Sequence, residues 1–174
     1  MPEPPLLRHK RYDADEIALS SAALLELLMA VHEKGADFRF RATGTSMYPT
    51  IRDGDIITVS PLGGIKPGVY EVVAFRHPGN GKLVVHRVLA LSPDSFVAGG
   101  DNSQSDGTIP CSHLLGVVTK VERNGSPLFW PDKRRYPFLA KVYFQTGYWY
   151  ITVRKRGYGM VLKLFRKRSG ETIP

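Results

Sequence analysis

Apolar positions Ile17, Leu24, Leu28 and Val31 recur at three- to four-residue spacing, with Leu27 widening the stripe. That period predicts a helix over residues 14–34, stopped by Gly35. From Phe38 to Arg123 the period shortens. Phe38-Arg-Phe-Arg41 alternates, Asp55–Val59 is β-branched and apolar, and Val69–Phe75, Leu83–Leu91, Ser95–Ala98 and Leu115–Val121 follow as strand-length runs. Arg52-Asp-Gly54, Pro61-Leu-Gly-Gly64, Lys66-Pro-Gly68, Pro78-Gly-Asn-Gly81 and Ser92-Pro-Asp94 punctuate them as turns. Many short strands with Gly and Pro turns and no helices between them predict a mainly β, mostly antiparallel fold. Past residue 126 the pattern changes again. Pro127, Pro131 and Pro137 break the chain, and Met160, Val161, Leu164 and Phe165 can form one apolar side of a short helix opposite Lys163, Arg166, Lys167 and Arg168. The expected organisation is an N-terminal arm and helix over residues 1–35, a β core over 36–125 and a C-terminal extension over 126–174.

Charge sharpens that division. The net charge of the 174 residues is +8, but Lys133 to Arg168 holds eleven Lys or Arg and no acid, leaving 13 basic against 16 acidic groups elsewhere. The same tail carries half of the aromatic residues, between Tyr136 and Phe165. Any attraction to phosphate therefore belongs to the tail. The longest apolar run, Ile17 to Val31, is interrupted by Glu26 and falls short of the roughly 20 residues of a bilayer span. The N-terminus is charged and Pro-rich rather than signal-like. The expectation is a soluble or membrane-surface protein on the cytoplasmic side. The single cysteine, Cys111, cannot form an internal disulfide.

Three segments carry candidate chemistry. In Gly44-Thr-Ser-Met-Tyr-Pro-Thr50, followed by Asp53-Gly-Asp55, a tight Gly-containing turn can expose the Ser46 hydroxyl. In Val84-Val-His-Arg-Val88, His86 interrupts an apolar strand. Gly99-Gly-Asp-Asn-Ser-Gln-Ser-Asp106 reads as a polar turn with two carboxylates, Asp101 and Asp106. Each alone is ordinary: a common loop, a structural histidine, a polar turn. His77, His86 and His113 lack metal-ligand spacing, and there is no phosphate loop or dinucleotide fingerprint, so no metal or cofactor is expected.

Taken together and in this order, the segments resemble the type I signal peptidases and the related self-cleaving repressor peptidases, over about Arg41 to Val121. Gly44–Thr50 with Gly54-Asp55 is similar to the nucleophile box, Pro67-Gly-Val-Tyr-Glu-Val-Val-Ala-Phe75 weakly to the box after it, Val85-His-Arg-Val88 to the base box, and Gly100-Asp-Asn102 with Asp106 to the last. The resemblance implies Ser46 as nucleophile and His86 as general base, since histidine rather than lysine stands at the base position and marks the Ser-His-Asp branch. It favours Asp106 as the carboxylate that orients His86, with Asp101 the other candidate or a residue that shapes the turn. Two departures stand out. Where many relatives have a serine two residues before the nucleophile to help bind the oxyanion, this chain has Gly44, leaving the second donor unassigned. The second is the expectation that the chain does without the transmembrane anchor typical of signal peptidases.

The implied function is a serine endopeptidase that cleaves a precursor or exported peptide, after small residues, through an acyl-enzyme on Ser46. Two alternatives stay open: a regulator akin to the self-cleaving repressors, and a noncatalytic peptidase-fold module that binds membrane or nucleic acid. For the tail over residues 133–168, three readings stay open. Its aromatics can pack on the core, the segment can lie on an anionic membrane surface, or it can bind nucleic acid, the least favoured partner.

Overall fold

The computed structural model describes residues 20–64, 66–131, 138–139 and 142–153. Among the described residues, one helix precedes the sheet: α1, Ser21–Glu33, whose N-cap Ser20 accepts a hydrogen bond from the Ala23 N–H. Gly35, at φ 70°, follows its end. Residues 14–19 of the expected helix and the whole of the expected helix around Met160–Phe165 lie outside the described residues. The buried residues of α1 are Leu25 and Leu28, with Leu24 and Val31 half-buried; the stripe widens through Leu25 rather than through Leu27, which is 44% exposed. His32 fixes α1 to the sheet, its two ring nitrogens each 3.1 Å from a backbone oxygen, Leu115 for Nδ1 and Val59 for Nε2.

Eight strands follow: β1 Phe38–Arg41, β2 Ile56–Pro61, β3 Val72–Arg76, β4 Leu83–Leu91, β5 Ser95–Gly99, β6 Ser105–Pro110, β7 Leu114–Arg123 and β8 Ser126–Pro127. A 3₁₀ turn, Cys111–His113, joins β6 to β7. The strands form one antiparallel sheet in the order β1-β2-β7-β3-β4-β5-β6, with β8 on β7. The mainly β expectation holds. β6 corrects one detail: Ser105 to Pro110 is a strand, not the end of a polar turn, and its one fully buried residue is Ile109.

Two apolar clusters fill the fold. One gathers Leu28, Met47, Ile51, Ile57, Val59 and Val121; the other gathers Val73, Phe75, Val88, Phe96 and Ile109. Met47 and Ile51 thus anchor the loop after β1 in the core, while Ser46 stays near the surface. A second helix, α2, spans residues 142–153. Its sequence, rich in aromatic and β-branched residues around Gly147, has no strong helical preference. Packing decides the outcome: Phe144 and Ile151 are buried, Phe144 meets Trp130 edge-on at 5.3 Å, and Tyr148 stacks on Tyr70 at 4.7 Å.

Candidate active site

The loop that carries Ser46 is built on Asp55. Its carboxylate accepts the Arg52 backbone N–H at 2.8 Å and two bonds from Arg123, 2.9 Å from Nε and 2.8 Å from Nη2. Burial alone would raise the Asp55 carboxyl, but the hydrogen bonds from Arg123 and Arg52 and the charges of both hold it below its ordinary value. Asp53 accepts the Gly44 N–H at 2.8 Å, with Gly44 at φ 91°, a conformation that strains any residue with a Cβ. A serine is thus disfavoured at Gly44, and that N–H is already engaged. The Tyr48–Pro49 peptide is cis.

β4 carries His86, which is 7% exposed and packs its ring against the edge of Phe75. Its Nε2 lies 2.9 Å from Ser46 Oγ and its Nδ1 2.6 Å from Asp106 Oδ2. A carboxylate can only accept, so Nδ1 carries the proton toward Asp106 and Nε2 presents its lone pair to the Ser46 hydroxyl. Asp106 reaches the imidazole from β6. The two acids therefore do not share a turn: Asp101 stays in the turn after β5, whereas Asp106 is the second residue of a strand.

Asp101 turns away from His86. Its carboxylate takes two bonds of 2.7 Å from Arg87, at Nε and Nη2, and one of 2.5 Å from the Thr50 hydroxyl. Arg87 also donates to the Tyr70 carbonyl at 2.8 Å. Both partners have side chains only 2% exposed. This ion pair links the loop of Ser46, the strand of His86 and the turn that leads to Asp106. Neither Arg87 nor Thr50 was singled out from the sequence. The signal was there: a lone cation in the apolar strand Val84–Leu91 needs a buried anion, and Asp101 is the near one.

The turn also touches the nucleophile loop directly, through Asn102 N–H to the Ser46 carbonyl at 2.6 Å. This approach requires Gly100. A Cβ there would sit 2.5 Å from the Ser46 carbonyl oxygen and 3.1 Å from His86 Nε2. Beside Ser46 and His86 opens a cleft of about 390 Å³ whose walls include Leu24, Phe40, Met47, Ile57, Leu83 and Val85. Among the described residues, the other histidines of the expected set serve the backbone: His77 Nδ1 accepts from the Gly79 N–H, and His113 Nδ1 lies 2.8 Å from the Arg76 carbonyl. Among the described residues, no group of three or more His, Cys, Asp or Glu could hold a metal ion.

A family model described as Peptidase S24-like matches residues 8–111. The chain belongs to the Peptidase S24-like family. The match takes in α1, β1 to β6 and all four candidate residues, Ser46, His86, Asp101 and Asp106. It stops before β7, which lies between β2 and β3 in the sheet, so the sheet of this S24-like protein extends past the matched residues. No curated protein matches the sequence. Among the described residues, no helix is long and apolar enough to cross a membrane.

Proposed function

We propose that this Peptidase S24-like protein is a serine endopeptidase with Ser46 as nucleophile, His86 as general base and Asp106 as the carboxylate that orients His86. The observation that carries the reading is the continuous chain Ser46 Oγ–His86 Nε2–Nδ1–Asp106 Oδ2, at 2.9 and 2.6 Å. A serine hydroxyl is a weak nucleophile until a base within hydrogen-bond reach takes its proton. His86 takes the Ser46 proton as Oγ attacks the scissile carbonyl, and Asp106 stabilises the imidazolium that forms. His86 then gives the proton to the leaving amine, and the acyl group on Ser46 is released by water that His86 activates in the same way. The Ser46 backbone N–H is the donor assigned to the oxyanion.

The substrate in this reading is a peptide in extended form, from a precursor or exported protein. Residues 83–86 of β4 pair with β3 on one side, whereas pairing with β5 begins only at Arg87. The Leu83 N–H is taken by the Ser21 hydroxyl at 3.0 Å, so among the described residues it is the edge of residues 84–86, beside the cleft, that is suited to adding a peptide strand. The apolar walls of the cleft suit small, uncharged side chains before the cut.

Incubation of the purified protein with a peptide library, read by mass spectrometry, tests the proposal. The wild type is expected to generate new termini after small residues, and folded Ser46→Ala and His86→Ala proteins none. Cleavage that persists unchanged in Ser46→Ala would overturn the assignment.

A further inference from the structure

The inner face of α2 is accounted for by packing against Tyr70 and Trp130, but its outer face is not. Val142, Trp149 and Val153 lie on that face at i, i+7 and i+11 and are 41, 53 and 64% exposed. Residues 142–153 contain no charged side chain. Phe138 and Leu139, helical residues earlier in the chain, are exposed as well. Directly after Val153 the chain continues Arg154-Lys-Arg156, within the stretch from Lys133 to Arg168 that holds eleven basic residues and no acid.

We propose that the outer face of α2 docks on an anionic lipid surface, with the helix in the plane of the interface. Exposed aliphatic and aromatic residues on one helix face, flanked by cations, match the interface of a bilayer. Trp and Val enter the headgroup–acyl boundary, while Lys and Arg meet lipid phosphates. Other occupants fit less well. A second copy of the chain would bring two such cationic tails together, and like charges repel. A single-stranded nucleic acid is gripped by cations interleaved with aromatic platforms. Here the aromatic stretch 142–153 is free of charge, and the cations stand on either side of it. The inference does not depend on the peptidase reading.

The test uses the full chain with vesicles of phosphatidylcholine, with and without phosphatidylglycerol. Trp130 is tied into the fold by its bond to the Val118 carbonyl, which leaves Trp149 as the reporter. The full chain is expected to sediment with anionic vesicles at low salt and to be released as salt rises. Trp149 emission should shift to the blue and be quenched by lipid-borne bromine, and Trp149→Phe should lose both signals. Val142→Ser/Trp149→Ser/Val153→Ser is expected to weaken partitioning by about tenfold or more while leaving cleavage of a soluble peptide unchanged. The single Trp149→Phe variant keeps the test valid if the triple variant does not fold. Failure to sediment with anionic vesicles overturns the proposal. So does binding with unchanged Trp149 emission, which would leave the cations alone as the contact. Concentration-dependent dimers or RNA binding in the absence of vesicle binding also overturn it, in favour of those partners.

Discussion

Replacing Asp101 by Leu removes the anion from a nearly closed pocket and leaves the Arg87 guanidinium behind. Both side chains are 2% exposed, and Asp101 receives two Arg87 bonds of 2.7 Å and one from Thr50. Arg87 then keeps the Tyr70 carbonyl and the Thr50 hydroxyl as neutral partners. Breaking a buried pair on one side costs about 3–5 kcal/mol, because the remaining charge is desolvated and uncompensated. A domain is stable by only about 5–15 kcal/mol, so this is a large share. Removing both charges in Arg87→Met/Asp101→Leu forfeits the bonds but leaves no stranded ion, so the double variant should be more stable than Asp101→Leu alone. The assay is urea unfolding followed by circular dichroism. With a slope of about 1–3 kcal/mol per molar urea, Asp101→Leu should lower the midpoint by roughly 1 M or more. A midpoint within about 0.3 M of wild type, or a double variant whose loss equals the sum of the two singles, refutes the reasoning.

Three further outcomes follow from the same geometry. Asp106→Ala should lower the peptidase rate per folded molecule by about 10²–10⁴ with little change in the urea midpoint, whereas Asp101→Ala should act mainly on stability; the reverse ranking in paired kinetic and unfolding measurements would move the orienting role to Asp101. Gly100→Ala puts a methyl group between the Ser46 carbonyl and His86 Nε2, so activity should fall at least about a hundredfold; thermal unfolding alongside the rate separates this from global loss of fold. Asp55 is held below its ordinary value of 3.8, so its contribution is present above that pH and lost as pH falls through the lower folded value. The stability gap between wild type and Asp55→Asn should therefore be constant near pH 5 to 7 and shrink only below about pH 3.8, as measured by urea midpoints across that range.

Much of the β core is legible in the chain because its strands are apolar runs between Gly and Pro turns. Leu83–Leu91 has the expected bounds, and Phe38–Arg41 does too. β6 was hidden because Ser105-Asp-Gly-Thr108 has the composition of a turn; pairing with β5, not intrinsic preference, makes it a strand. α2 was hidden for the opposite reason. Its aromatic and β-branched residues suit a strand, and only contacts with Tyr70 and Trp130 decide for a helix. The candidate site was legible through the order of its segments, since no single segment distinguishes a catalytic serine from a loop serine. The resemblance favours Asp106 over Asp101 as the partner of His86; what was not legible is that Arg87 claims Asp101, because that is a matter of three-dimensional register.

The measurement that tests the central claim most directly is labelling by a fluorophosphonate, followed by intact mass and peptide mapping. One adduct on Ser46 is expected in the wild type. Ser46→Ala should take none at that peptide, and folded His86→Ala should label at least about a hundredfold more slowly, because Nε2 no longer accepts the hydroxyl proton. Labelling at Ser46 that proceeds equally well without His86, or the absence of any adduct on the folded wild type under conditions where it cleaves peptides, would contradict the assignment.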